Sequence, residues 1–122
     1  NNSCTGNCCC IKMTTITLNC NSSGEFRSCY SEGHAEYAPA GSDIVCAAIT
    51  VVLRTTLEVL LDAYGASVFA DTTTRGTLAF RVEEGVHDRA RLVYAADFLR
   101  QGLMSLQSEY PKHVMLRENI VD

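Results

Sequence analysis

Clusters of basic side chains are missing from this sequence. Ten lysine and arginine residues stand against 14 aspartate and glutamate residues, which gives a net charge of −4. No stretch of the chain could therefore track a phosphate backbone, and direct binding to RNA or DNA is not expected. No nucleotide-binding motif is present either.

Membrane-spanning runs and a secretory signal are also missing. The longest uncharged run of interest, Ile44 to Leu53, is about half the length that crosses a bilayer. The N-terminus has no basic region followed by an apolar stretch. We therefore expect a cytoplasmic protein that does not associate with membranes.

The cysteines do not form a disulfide framework. Their number, seven, is odd, and their spacing matches no bridged scaffold, so reduced thiols are expected. Four of them crowd into residues 1–12: Cys4, Cys8, Cys9 and Cys10. Adjacent cysteines do not readily converge on one tetrahedral ion, so no metal site is predicted. We interpret residues 1–12 as a flexible leader or an expression-derived segment, and residues 13–122 as a single domain.

Hydrophobic periodicity predicts five strands and two long helices. Apolar residues alternate at Ile16, Leu18 and Cys20 in the first strand, and Phe26 and Tyr30 are expected on the inner face of the second. The elements are predicted as strands from Met13 to Cys20 and from about Glu25 to Glu32, a helix from about Asp43 to Tyr64, strands over Ala66–Ala70 and Thr77–Glu83, a helix from near Val86–Asp88 to Glu109, and a strand over His113–Arg117.

This order predicts an α+β fold, in which a mostly antiparallel sheet of about five strands carries both helices. The buried side of the third and fourth strands is expected to be Phe69, Leu78, Phe80 and Val82. The core face of the second helix is expected to be Leu92, Ala96, Leu99, Leu103 and Leu106. Gly102 lies inside that helix at a cost in helix stability, which indicates close packing there.

The segment around Cys46 has the features of a nucleophile site. Either Ser42 or Asp43 can cap the first helix, which would place Cys46 at its fourth or third position. The first-turn amides and the positive end of the helix dipole would then favour a thiolate. The same amides could stabilise an oxyanion.

His34, twelve residues before Cys46, is the candidate general base. Residues 35–45 form a long loop punctuated by glycine and proline, which favours a gate over a bound peptide. On residue chemistry alone, an inert buried cysteine and a surface or structural histidine are the commoner interpretations of these two side chains.

The pattern of residues nevertheless resembles the ribosomal-processing cysteine protease (Prp) family over roughly residues 13–120. The first motif comprises Gly33-His34-Ala35, Tyr37-Ala38, Gly41 and Asp43-Ile44-Val45-Cys46-Ala47-Ala48. The second comprises Gly102-Leu103, Leu106 and Tyr110-Pro111. The family usually has serine where this chain has Thr50, which keeps the hydroxyl.

The resemblance implies a homodimeric endopeptidase that uses no cofactor. It implies that Cys46 is the nucleophile and His34 the general base, with Asp43 and Thr50 in supporting or orienting roles. A side chain that caps the helix is poorly placed to orient His34, so those two roles of Asp43 compete. The substrate loop would include Gly33, Ala35, Tyr37, Gly41 and Ser42.

The substrate implied by the resemblance is the basic N-terminal extension of the large-ribosomal-subunit protein numbered twenty-seven. An acidic domain suits a cationic peptide, although charge alone is a weak steering argument. The alternative hypothesis is a non-catalytic ribosome-assembly or peptide-binding module that uses the loop as a clamp. A metal-binding protein built on the N-terminal cysteines is a third hypothesis.

Overall fold

The computed structural model describes residues 13–33, 40–72 and 77–122, and only the backbone of residues 40–43. Within these residues the elements follow the predicted order, and the α+β fold is confirmed. They are strands β1 (Thr14–Cys20) and β2 (Phe26–Glu32), helix α1 (Ala40–Tyr64), strands β3 (Val68–Asp71) and β4 (Thr77–Val82), helix α2 (Arg89–Glu109) and strand β5 (Val114–Ile120).

The five strands form one sheet in the order β3-β4-β2-β1-β5. β1 pairs with β2, β2 with β4, and β3 with β4 in antiparallel fashion, whereas β1 and β5 are parallel. β5 extends three residues beyond the predicted end at Arg117, because every residue from Val114 to Ile120 pairs with β1. The sheet is therefore mostly antiparallel, as predicted, with one parallel edge.

Both helices cover the same face of this sheet. α1 contacts β3 and β4, α2 contacts β1, β2 and β5, and the two helices contact each other. In β1 the side chains of Ile16, Leu18 and Cys20 are buried under them, and the residues between are half-buried on the other face. The predicted alternation of this strand is confirmed.

Tyr30 was predicted to face the core together with Phe26, and this prediction is wrong. Phe26 is fully buried, but Tyr30 is 41% exposed. The pairing with β1 shifts register between Asn19 and Cys20, so that Cys20 pairs with Phe26 while Asn19 pairs with Ser28. Such a bulge breaks the period of two. Cys29 consequently faces the core, where the simple alternation had placed Tyr30.

Phe69 was also predicted to be buried, and it is 42% exposed. β3 begins at Val68 because residues Gly65–Ser67 form a 3-10 turn after α1. This start places Val68 against the core and turns Phe69 to the open face of the sheet, where the guanidinium of Arg81 lies 4.3 Å from its ring centroid. Phe80 and Val82 are buried, and Leu78 packs against the core, as predicted.

Helix α1 starts at Ala40 and not at Asp43. Alanine is the strongest helix former, which favours a start at Ala40. The proline before it has no amide hydrogen, and this is tolerated because amides at a helix start have no partner within the helix. Ser42 and Asp43 therefore lie inside the first turn, and the prediction that one of them caps the helix is wrong. The end at Tyr64 is as predicted, with Gly65 at a φ of 53°.

One side of α1 supplies the core, and the other side is exposed and carries both apolar and charged side chains. Val45, Ile49, Leu53 and Leu60 are buried. By length and composition, residues Ile44–Ser67 could also cross a membrane, since the most apolar 18-residue window of this stretch has a mean hydropathy of 2.1. This stretch is longer than the uncharged run noted in the sequence, because it includes the charged residues Arg54, Glu58 and Asp62. A core helix meets the same criterion, so the stretch alone does not indicate a membrane protein.

The core face predicted for α2 is confirmed. Leu92, Ala96, Leu99 and Leu103 are buried, and Leu106 packs against them. A Cβ atom at Gly102 would lie 3.3 Å from Cγ1 of Val52. The glycine therefore allows α1 and α2 to approach closely at this level, as its position inside a helix indicated.

Glu25 joins the β1–β2 turn to the start of α2. Its side chain is only 8% exposed, and its carboxylate accepts a hydrogen bond of 2.7 Å from Nε of Arg89 and one of 2.9 Å from Nδ2 of Asn21. The Asn21 amide, followed by Arg89, lowers the pKa of Glu25 below its ordinary value of 4.5. Both partners stabilise the ionised form.

This network predicts a loss of stability in acid. Because the pKa of Glu25 is lower in the folded chain, its contribution is complete above pH 4.5 and is lost as the pH falls through the folded value. The side chain in Glu25→Gln cannot ionise, so this variant should be less stable than wild type at about pH 7. The difference in unfolding free energy between the two proteins should be smaller at about pH 3.5. Urea unfolding of both proteins at the two pH values measures this change. A deficit that stays constant would contradict the prediction.

Candidate active site

The site begins where β2 leaves the sheet, at Gly33. Its φ is 89°, in the left-handed region that L side chains rarely adopt. A Cβ atom at this position would overlap the carbonyl oxygen of Met13 and would touch the Cα of Thr14. Gly33 is therefore held against the start of β1 in a way that excludes any side chain. This contact fixes where the chain turns out of the sheet immediately before His34.

Cys46 lies in the second turn of α1, at the seventh residue of a helix that begins at Ala40. Its thiol is free and its side chain is half-buried. The sequence had placed this cysteine in the first turn. Since the dipole effect falls off within one turn, the first-turn amides stabilise a thiolate or an oxyanion at Cys46 less than expected.

The position of Cys46 around α1 follows from the buried residues of the helix. Val45, Ile49 and Leu53 face the core, and Val52 marks the side that meets α2. At about 100° per residue, Cys46 lies on the border of the core face that points away from α2. Thr50, one turn later, lies on the same border and is also half-buried. The thiol is thus packed against the domain on one side and open on the other.

The other two cysteines of the described residues cannot act as nucleophiles in this fold. Cys29 is 1% exposed, and burial raises its pKa to about 12. Burial also raises the pKa of Cys20, although Nη2 of Arg100 lies 3.9 Å from its sulfur. Both thiols stay protonated at neutral pH and pack as small apolar groups. Cys46 is the accessible thiol among the three.

This difference predicts selective alkylation. Iodoacetamide at neutral pH should label Cys46 in the native protein while Cys20 and Cys29 remain unlabelled, because the reagent needs an exposed thiolate. Peptide mass spectrometry with time measures the three rates. In denaturant the three should react at similar rates, which is the control. Native labelling of Cys20 or Cys29 as fast as that of Cys46 would contradict the prediction.

The structure describes only some of the remaining predicted site residues. His34, Ala35 and Tyr37 lie outside the described residues, so the distance from the imidazole to the Cys46 sulfur stays a prediction. Gly41, Ser42 and Asp43 are described by their backbone alone, as part of the first turn of α1. Helix therefore replaces the second half of the predicted loop over residues 35–45.

Comparison with known protein families decides the assignment. The model of the family "Cysteine protease Prp" matches residues 13–115. The chain belongs to this family. The match begins at β1 and extends into β5, so it includes both Gly33 and Cys46.

Solved structures of Prp proteins share the fold. The essential ribosomal processing protease Prp from S. aureus, crystallised with a substrate peptide, is 19% identical, with a TM-score of 0.73 over 87% of this chain and 99% of that one. The same protease with a covalently linked product peptide is 24% identical, with a TM-score of 0.66 over the same shares of the two chains. SMU.848 from Streptococcus mutans is 19% identical, with a TM-score of 0.74 over 89% of this chain and 96% of that one.

A comparison with curated proteins gives no significant match. The family match therefore carries the assignment of this chain as a cysteine protease, and the solved structures support its fold. Among the described residues, no group of three or more histidine, cysteine, aspartate or glutamate side chains is arranged to hold a metal ion. The accessible thiol of Cys46 is the chemical feature that fits the family's activity.

Proposed function

We propose that this Prp-family protein is an endopeptidase in which Cys46 is the nucleophile and His34 the general base. The observation that carries this proposal is the accessibility of the Cys46 thiol. Cys46 lies on the same segment as Gly33, which fixes the position of the chain just before His34. Cys20 and Cys29 are buried and protonated, which leaves them no role in catalysis.

The proposed reaction is acyl transfer through a thioester. His34 takes the thiol proton as the sulfur of Cys46 attacks the scissile carbonyl carbon. The carbon–nitrogen bond then breaks, and His34 gives the proton to the departing amine. A water molecule, deprotonated by His34, hydrolyses the thioester, which releases the acid product and restores the thiol. The amine product carries away the proton of the thiol, and the proton that His34 takes from water restores the thiol, so the cycle closes without a cofactor.

We further propose that Asp43 orients the imidazole of His34. The sequence left open whether Asp43 caps α1 or orients His34. Because α1 begins at Ala40, Asp43 lies inside the helix and cannot be its N-terminal cap. This position inside the first turn supports the orienting role over that of an N-cap residue. Thr50 is proposed to support the nucleophile from the same border of α1, one turn away.

The proposed substrate is the N-terminal extension of the large-subunit ribosomal protein numbered twenty-seven. Two Prp structures from S. aureus hold a substrate peptide and a covalently linked product peptide. An acidic chain with a net charge of −4 favours a cationic peptide. We propose a cytoplasmic location, because the proposed substrate is a ribosomal protein. The proposed partner is this protein and not a nucleic acid.

We propose that the protein is a homodimer that buries the outer side of the helix layer. Val59 of α1 and Tyr94 and Phe98 of α2 are at least half exposed, and together they line an apolar groove of about 360 Å³. Ile44 and Val51 extend this apolar surface along α1. Exposed apolar patches of this kind commonly mark protein interfaces.

Digestion of a synthetic peptide that spans the ribosomal extension tests the proposal. Mass spectrometry should find two products from a single cut, and a peptide of the same composition in shuffled order should stay intact. A peptide chloromethyl ketone built on the sequence before the cut should alkylate the thiol with loss of chloride, and should add its mass to the tryptic fragment that contains Cys46. Binding of the peptide without any cleavage would instead favour a non-catalytic binding module.

A further inference from the structure

Strand β3 is an edge of the sheet, and its register shows which backbone groups face outward. The amide of Glu83 donates a hydrogen bond of 2.9 Å to the carbonyl oxygen of Ser67, so these opposite residues form a hydrogen-bonded pair. Such pairs alternate along an antiparallel ladder, so Phe69, two residues later, also bonds to β4. The C=O of Val68 and both backbone groups of Ala70 therefore point away from β4. Among the described residues, no strand pairs with that side of β3.

The other edge of the sheet, β5, is closed by the domain itself. The amide of Leu116 donates a hydrogen bond of 2.6 Å to Oε1 of Gln107 on α2. Within the part of the chain that the structure describes, no comparable bond reaches Ala70 of β3. An open edge is a template for a further extended chain, and proteins usually cover the edges that have no partner. Of the two edges, β3 is thus the one that is open to an added strand.

The edge of β3 lies beside the flank of α1 that carries Cys46. α1 contacts β3 and β4, whereas α2 contacts the other three strands. In the order β3-β4-β2-β1-β5, the β3 edge is therefore on the side of α1 that points away from α2. At about 100° per residue, Leu57 and Leu61 lie on the same flank as Cys46. Leu61 is exposed, and Leu57 is partly buried against the core.

An extended chain on the β3 edge can reach Cys46. The strand beside β3, β4, begins opposite Glu32, immediately before Gly33, so this side of the sheet leads to the end that holds the peptidase site. The rise along α1 from Cys46 is about 17 Å to Leu57 and about 22 Å to Leu61. Since an extended chain advances about 3.3 Å per residue, these distances correspond to about five and seven residues. Alternate side chains of an added strand would thus face the two leucines.

We propose that the peptide substrate binds as an added strand on the edge of β3 and pairs with the outward backbone groups of Val68 and Ala70. This inference rests on the proposed peptidase function, because the thiol of Cys46 fixes where the scissile bond lies. The substrate class is an extended segment with apolar side chains about five and seven residues from the cut. Backbone pairing requires an unfolded segment, so a folded domain would not be cut.

Backbone N-methylation of the peptide tests this binding mode. The Cys46→Ser variant of the full chain is titrated with the labelled extension peptide, and fluorescence anisotropy gives the Kd without any cleavage. Each amide of the peptide is then methylated in turn. In an added strand only every second amide faces β3, so methylation at alternate positions should raise the Kd about 2- to 10-fold, and the positions between should keep it. The period of two is the signature of strand pairing.

A substitution at Ala70 locates the edge. Ala70→Pro removes the outward amide, and proline is tolerated in an edge strand where that amide faces solvent, so the pairing of Phe69 with β4 is kept. The Kd should rise at least about tenfold, because one hydrogen bond is lost and the proline ring obstructs the added strand. Ala70→Ser keeps the amide and should bind as Cys46→Ser alone does. Both substitutions are made in the Cys46→Ser background, and thermal unfolding checks their folding.

The binding mode and the peptidase function fail separately. A peptide that wild type cuts, but whose Kd shows no alternation and is unchanged by Ala70→Pro, would overturn the β3 site alone. A peptide that binds with the alternating pattern and stays uncut by wild type would support the β3 site and contradict the peptidase function. Absence of both binding and cleavage would overturn both. The methylated peptides need no change in β3, so they decide the matter even if Ala70→Pro does not fold.

Discussion

Cys46→Ser is expected to abolish peptide cleavage and to leave the fold unchanged. A serine hydroxyl is far less readily deprotonated than a thiol, and removal of a nucleophile from a catalytic pair commonly lowers kcat by about 10³-fold or more, which is roughly 4 kcal/mol. The stability should change by less than about 1 kcal/mol, because the side chain is half-buried and the substitution is close to isosteric. Cleavage of the extension peptide and thermal unfolding measure the two effects.

The buried cysteines provide the matched control. Cys29→Ala replaces a thiol that is 1% exposed, so it should lower the melting temperature through a small cavity while the folded fraction keeps its activity. His34→Ala should lower kcat by about 10²- to 10⁴-fold, the range of general-base catalysis. If Cys46→Ser still cleaves the peptide and Cys29→Ala does not, the assignment of the nucleophile is wrong.

The element order and the helix faces were predictable because they depend on local patterns. The spacing of Leu92, Ala96, Leu99 and Leu103 follows the helical period, and all four are buried as expected. The errors at Tyr30 and Phe69 have non-local or neighbouring causes. The bulge opposite Cys20 and the 3-10 turn before Val68 each change which residues face the core, and neither has a signature in the hydrophobic pattern.

The site was predictable in its residue types and less so in its geometry. The motif around Cys46 identified the accessible thiol, and burial of Cys20 and Cys29 supports that choice. The early start of α1 could not be predicted, because Ser42 and Asp43 are strong capping residues that indicate a later start, and they compete with the proline before Ala40.

The constraint on Gly33 is a further feature that sequence reasoning missed, and it predicts a large effect of Gly33→Ala. The left-handed φ of 89° costs an alanine about 1–2 kcal/mol. The overlap of its Cβ with the Met13 carbonyl oxygen adds about 1–3 kcal/mol, since both partners are backbone atoms that cannot rotate away. Urea unfolding should therefore show a loss of about 2–5 kcal/mol. Cleavage should fall as well, because the start of β1 and the segment that carries His34 must move apart.

Gly24→Ala separates these two contributions. Gly24 precedes β2 as Gly33 follows it, and its φ of 82° is nearly the same. Nothing lies within 4 Å of a Cβ at Gly24, so this variant carries the backbone strain without the overlap. It should lose about 1–2 kcal/mol and keep its kcat. Equal losses in the two variants, with cleavage intact in both, would show that the contact between Gly33 and Met13 does not hold the active site in place.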